Sequence, residues 1–272
     1  MIVLCKTCGT SYDVDREPQH CAICEDERQY VPATGQAWVD FSTLISTHTN
    51  KWQQLEPGLL SIKTVPAFAI NQRAILLQTP QGNVLWDCIA NLDPATYTLV
   101  NALGGIDAIA ISHPHYYTTM QDWAAAFNAP VYLHACDRQW VMRPSPALRF
   151  WEGDSLEIAP EVTLHRLGGH FAGGTVLHWN RDGGALLAGD ILQVTPGKDA
   201  VSFMWSYPNM LPLSAEEVAD IAARLDNVVF ERLWGAFEGQ NIAASGREIV
   251  MRSVQKYIAC LNARPVGKLQ KP

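Results

Sequence analysis

The sequence predicts an α+β fold: a four-layer αββα sandwich, two β-sheets packed face to face with helices outside, preceded by a small four-cysteine module. Three observations carry this expectation. Four of the seven cysteines fall in the first thirty residues, spaced C-x2-C-x12-C-x2-C. Beyond them, strand-like segments run in two successive series, each followed by a helix, a further strand and a further helix. The chain has 272 residues and is 48% apolar, enough to fill a core between such layers.

Residues 1–34 are read as the cysteine module. They carry many charges and few large aliphatics, so they need a staple to fold. Cys5, Cys8, Cys21 and Cys24 form two knuckles able to bring four thiolates to one tetrahedral zinc. His20, beside Cys21, is an alternative ligand. A closed four-thiolate site keeps no open position, so its expected role is structural. Presenting a loop to a protein partner or to the substrate is the further use considered.

Residues 35–272 are read as the main domain. The apolar spacing from Trp38 to Leu55 predicts a helix. LLSIKTV (59–65), RAILLQT (73–79) and NVLWDC (83–88) read as strands, the last two joined by turn residues at Pro80-Gln81-Gly82. Asp93-Pro94 opens a helix that stops at Gly104-Gly105. IDAIAIS (106–112) reads as a fully buried strand. The helix TTMQDWAAAFN (118–128) and the strand PVYLH (130–134) follow it. The second series is EVTLHRL (161–167), TVLHWN (175–180) and ALLAGD (185–190). The strand VVFERLWG (228–235) then lies between helices opened by the capping pairs Ser214–Glu217 and Ser245–Glu248.

The formal net charge of −7 argues against a nucleic-acid partner gripped by a basic face. No apolar run approaches the length of a membrane span. The N-terminal stretch MIVLCKTCGT places a cysteine pair where a secretory signal needs an apolar core, so a cytoplasmic location is expected. In that reducing compartment paired C-x-x-C motifs read as metal ligands, and Cys88, Cys136 and Cys260 as free thiols.

The chemistry gathers on four residues. His113 and His115 stand at i and i+2 directly after a buried strand, and in an extended segment that spacing points both imidazoles the same way. His170 follows Gly168-Gly169, and Asp190 follows Ala188-Gly189, each where an apolar strand becomes a loop. Such strand ends converge in layered folds. Three imidazoles and a carboxylate suit Zn²⁺ or Fe²⁺. His134, His165 and His178 read as packed or surface residues. Trp151, Trp205 and Tyr207 are open between core packing and pocket lining.

Over residues 58–240 the chain resembles the metallo-β-lactamase superfamily. NVLWDC is similar to the family's strand ending in an Asp, here Asp87, which supports the metal loop. SHPHYYTT stands where the family has H-x-H-x-D-H. LGGHFAGGTVLHW resembles its glycine-histidine loop, LLAGD its strand delivering a bridging Asp, and RLWGAFEG its last strand, usually ending in His-Gly. The resemblance implies an active-site metal, zinc or iron, on His113, His115, His170 and Asp190. Tyr117 and Thr118 replace the family's Asp and His, and Phe237 or Glu238 stands in place of its last His, so one metal rather than two is implied there. It also implies hydrolysis of an ester, thioester, lactone or amide-type bond in a small molecule. The proton-accepting role then falls to Asp190 or Glu238, and a phenol of Tyr116 or Tyr117, the latter taken as the catalytic candidate, either points at a developing oxyanion or plugs the vacated position. Two other readings are a mononuclear iron dioxygenase of a sulfur compound and a non-catalytic scaffold whose module recruits a protein partner.

Overall fold

Apolar side chains alternate along the strands, and that alternation decides the layering. The computed structural model describes residues 1–263, so residues 264–272 of the expected main domain lie outside the described residues. In the strand Arg73–Thr79, Ile75 and Leu77 face the second sheet while Leu76 faces helices. Leu187 and Leu186 of Ala185–Gly189 divide in the same way.

The first sheet has seven strands, in the spatial order Leu148–Trp151, Val131–His134, Ala108–Ala110, Gly82–Trp86, Arg73–Thr79, Leu59–Val65 and Thr49–Glu56. Its first four are mutually parallel and the remainder antiparallel. The second sheet has six, in the order Ser155–Ala159, Val162–Arg166, Thr175–Trp179, Ala185–Gly189, Arg232–Gly235 and Asn241–Ile242. Between the sheets lie Leu59, Trp86 and Trp151 of the first and Leu164, Trp179 and Trp234 of the second. Numbered along the chain, the helices are α1 (Phe41–Thr47), α2 (Pro94–Ala102), α3 (Met120–Phe127), α4 (Ala215–Arg224) and α5 (Gly246–Leu261). Val100 of α2 and Trp123 of α3 pack on the outer face of the first sheet. Val218 of α4 and Val250 of α5 pack on the outer face of the second. The four expected layers are therefore present.

Local signals are matched where side-chain chemistry fixes the backbone. The Asp93 carboxylate accepts from the Thr96 N–H at 2.6 Å and opens α2. Ser214 and Glu217 form a reciprocal capping box on α4. Three expectations fail. Trp38 to Leu55 is not one helix: Asp40 caps only the short α1, and Thr49–Glu56 pairs with Leu59–Val65 as an edge strand. A β-ladder along an otherwise unpaired edge outweighs the helical spacing, and Thr49, which opens the strand, is β-branched. Ser245 precedes α5 but does not cap it with its side chain, because the residue is left-handed (φ 54°) and its N–H donates to Glu231. The strand expected over 228–235 is confined to Arg232–Gly235.

The cysteine module is a three-stranded sheet of Ile2–Cys5 flanked by Ser11–Asp13 and Trp38–Val39. Its third strand lies beyond residue 34, and Leu4 packs on Leu44 of α1. No helix among the described residues is long and apolar enough to cross a membrane.

Candidate metal centre

The site lies where the two sheets' strand ends meet. From the first sheet, the strand Ala108–Ala110 runs through Ile111 and Ser112 to His113, which is extended (φ −169°), and then into a 3-10 turn, Pro114–Tyr116. His115 therefore sits in a turn, not in an extended i, i+2 pair as expected. The imidazoles converge all the same. The ring centroids of His113, His115 and His170 are each 5.0 Å from the other two, an equilateral triangle.

His170 comes from the second sheet on a glycine loop. Gly169 is left-handed (φ 74°), and a Cβ there would lie 2.8 Å from Leu213 and 3.0 Å from Ile221. Asp190 follows Gly189, also left-handed (φ 56°), where a Cβ would meet Ser112 Oγ at 2.4 Å. That absence of a side chain lets the two sheets' loops approach closely enough to bring Asp190 Oδ2 to 3.6 Å from His113 Nε2.

One donor atom from each of His113, His115, His170 and Asp190 lies within 4.8 Å of the others, and all four residues are buried. His170 Nε2 is 3.2 Å from His115 Nδ1. A tetrahedral ion with bonds of about 2.0–2.1 Å sets its nitrogen ligands roughly 3.3 Å apart. The His170 Nδ1–H donates to the carbonyls of Trp205 (2.8 Å) and Met204 (3.1 Å), which leaves Nε2 as the lone-pair atom facing the cluster. His113 Nε2 and Asp190 Oδ1 are buried without a hydrogen-bond partner among the described residues. Orphaned acceptors at ligand spacing fit a bound cation.

Electrostatics point the same way. Burial drives the basicity of His113 and His115 well below normal and lowers His170 to about 4, so these rings stay neutral and available as ligands. Burial raises the Asp190 carboxyl to about 7. A folded-state value raised above the ordinary one destabilises the metal-free fold progressively as pH climbs from about 4 through about 7. Metal-stripped Asp190→Asn should therefore melt above the metal-stripped parent at pH 8, by at most about 4 kcal/mol of stability, with little difference near pH 4. Thermal melts at both pH values check this; equal melting at pH 8 would show that the carboxylate is not strained there.

Behind the ligands, Asp87 Oδ1 accepts from Ser112 N–H at 2.7 Å, and Ser112 Oγ lies 2.8 Å from His113 Nδ1. The supporting role expected of Asp87 thus reaches His113 through Ser112. Burial raises the Asp87 carboxyl to about 8.

The three other expected site residues divide differently. Tyr117 packs in the core between the first sheet and its helices, and is not at the metal centre. Its neighbour Tyr116 takes that place: its ring meets that of His113 edge-on, centroids 4.4 Å apart, and its hydroxyl faces Asp190, with no closed hydrogen bond. The 3-10 turn reverses the sides that an extended chain gives these two residues. Phe237, not Glu238, faces the pocket. Glu238 is turned to the surface and pairs with Lys51 and Lys63, which holds its carboxyl below the usual range. The structure gives no geometric support to Glu238 as proton acceptor.

His115, His170 and Asp190 open onto a cavity of about 140 Å³. Ile70, Pro208 and Phe237 form its apolar wall, and Gln29, Gln193 and Tyr207 its polar one. Sequence reasoning leaves Tyr207 open and misses Gln29 and Gln193. Trp151 lies between the sheets instead, and Trp205 covers Arg28. His134, His165 and His178 lie outside the cluster.

The four cysteines form a second candidate centre. Cys5 Sγ and Cys24 Sγ are 3.5 Å apart, and Cys8 Sγ and Cys21 Sγ 3.6 Å. Tetrahedral zinc with bonds of about 2.3 Å sets thiolates roughly 3.8 Å apart, so these sulfurs fit such an ion. His20 is exposed and paired with Glu25, outside the set.

The module is not a free appendage. Ser11 N–H and Oγ both donate to the Thr118 carbonyl, at 3.1 and 2.7 Å. Arg28 donates to the His170 carbonyl at 3.3 Å, and its guanidinium lies 3.8 Å over the Phe171 ring and 4.6 Å from that of Trp205. No motif announces Arg28 or Gln29; they merely follow the last cysteine.

Comparison with known proteins agrees with this architecture. No protein-family model matches the chain. A B3 metallo-β-lactamase with an active-site glutamic acid superimposes with TM-score 0.52 at 18% identity, over 78% of this chain and 92% of that one. A metallo-β-lactamase from Cronobacter sakazakii gives 0.51 at 19%, over 78% and 96%. A metallo-β-lactamase family protein from Thermus thermophilus gives 0.52 at 20%, over 76% and 81%. At these identities the likeness establishes the fold, and the chain is a metallo-β-lactamase-fold protein with an added N-terminal four-cysteine module. It belongs to the same family as "Uncharacterized protein YmaE" of Bacillus subtilis (strain 168), with 47% identity over 266 residues, 96% of this chain and 97% of that one.

Proposed function

We propose that the protein is a metal-dependent hydrolase with one active-site ion, zinc or iron, acting on an ester, thioester, lactone or amide-type bond of a small molecule. The observation that carries this reading is the triangle of neutral imidazoles, completed by Asp190, that opens on a cavity rather than being closed over by protein. A divalent ion held there would polarise the scissile carbonyl and activate water. His113, His115 and His170 would hold it as neutral donors. Asp190, whose Oδ1 is buried without a hydrogen-bond partner among the described residues and which lines the cavity, is placed to accept a proton from the attacking water and to return it to the leaving group. The apolar wall of Ile70, Pro208 and Phe237 orients the substrate and excludes bulk water. The cysteine module holds a structural zinc, and the protein works in the cytoplasm. The paired C-x-x-C spacing of the four clustered thiols, which suits metal binding in a reducing compartment, supports that location.

The test is elemental analysis of the purified protein together with turnover of a panel of small esters, thioesters, lactones and amides. Two metal equivalents per chain and metal-dependent hydrolysis are expected. Iron with oxygen uptake on a sulfur compound would replace this reading by a dioxygenase, and no turnover of any class by a scaffold.

A further inference from the structure

The cavity has two features that the metal cluster does not explain. The first is its source. Gln29, five residues after the last cysteine of the module, is one of its walls and is only 8% exposed. It is clamped from two sides. The preceding residue, Arg28, is tied to the His170 carbonyl, and the Gln29 carbonyl accepts from Asn209 Nδ2 at 3.1 Å. Its side-chain amide makes no hydrogen bond to another described residue, although its backbone is fixed. The second feature is charge. Gln193, three residues after Asp190, brings a second carboxamide, whose Oε1 is buried without a partner. No lysine or arginine is among the described residues lining this cavity. Arg28, next to Gln29 in the chain, is already engaged by Asp26 and lies over aromatic rings.

Resting on the hydrolase reading, we propose that Gln29 is a substrate-contacting residue. Together with Gln193 it selects small, electrically neutral carbonyl compounds, so the cysteine module completes the substrate site. Carboxamides offer both donors and acceptors, matching a neutral amide, ester or lactone. Away from the ion, an anionic substituent would lose its water there without gaining a counter-charge from the lining. Size reinforces the point. A cavity of comparable volume takes a benzene-sized molecule, so about 140 Å³ admits the reacting group and a short substituent.

The experiment is calorimetric titration of the metal-loaded full-length protein with two hydroxamates that anchor on the active-site metal. One is acetohydroxamic acid, neutral beyond its anchor; the other is malonic monohydroxamate, which adds a carboxylate. The parent should bind the neutral probe more tightly. Gln29→Ala should weaken that binding about three- to tenfold. Gln29→Lys should move the preference toward the carboxylate probe by about tenfold or more. Both variants should retain two metal equivalents per chain, which shows that the module still folds. Unchanged binding of both probes by both variants overturns the proposal and leaves the hydrolase reading standing. Failure of the parent to bind either probe removes the open metal site, and both readings with it.

Discussion

Replacing His115 by alanine should release one of the two metal equivalents, leave the module's ion bound and abolish turnover. His115 Nδ1 and His170 Nε2 stand 3.2 Å apart, so removal of one imidazole opens an edge of the ligand set. Loss of a group that merely orients a ligand already weakens metal affinity by about 10- to 100-fold, and loss of the ligand itself should exceed that. Elemental analysis and turnover on any substrate established for the parent check both halves. Full activity in the variant would show that His115 is no ligand of the working ion.

The second large effect is expected at the other end of the chain. Cys8→Ser should cost one metal equivalent and make residues before 35 sensitive to protease, because metal binding in so small a module is its folding free energy, about 10–16 kcal/mol for comparable sites. The sequence alone leads to the expectation of a structural module whose loss spares the main domain. The structure changes that expectation. Arg28 holds the His170 carbonyl and Gln29 walls the cavity, so loss of the module's fold should also reduce turnover strongly. Limited proteolysis, metal content and turnover measured on one sample separate the outcomes. An unfolded module with turnover unchanged would refute the coupling.

Much of the centre is legible because its residues sit at local punctuation. His113, His170 and Asp190 each end an apolar strand beside glycine, serine or proline, and such breaks are visible in one dimension. The layers are legible for the same reason, since period-two alternation records both faces of a strand. What is not legible depends on pairing or on turn geometry. Trp38 to Leu55 carries a helix-like pattern, but the edge of Leu59–Val65 needs a partner. Tyr117 is favoured over Tyr116 in the sequence because nothing local signals that Pro114–Tyr116 makes a 3-10 turn. Glu238 takes its expected role from a neighbouring glycine, while two lysines on other strands draw it away. Arg28 is invisible because its partner at His170 is 142 residues distant.

That distance also orders the birth of the molecule. On the ribosome the four thiols are complete once residue 24 has been made, whereas the groups that anchor Ser11, Arg28 and Gln29, namely Thr118, His170, Ser206 and Asn209, emerge far later. Domains tend to fold in the order of their synthesis. The cysteine knuckles could therefore take up an ion while the sandwich does not yet exist, and the three-histidine centre must wait for the strand that delivers Asp190. Gln29 reaches its place only when the loop at Asn209 closes on it. A segment translated before the sandwich is thus among the last to be seated, and an ion held by the four thiols at that stage would be bound while the cavity is still unroofed.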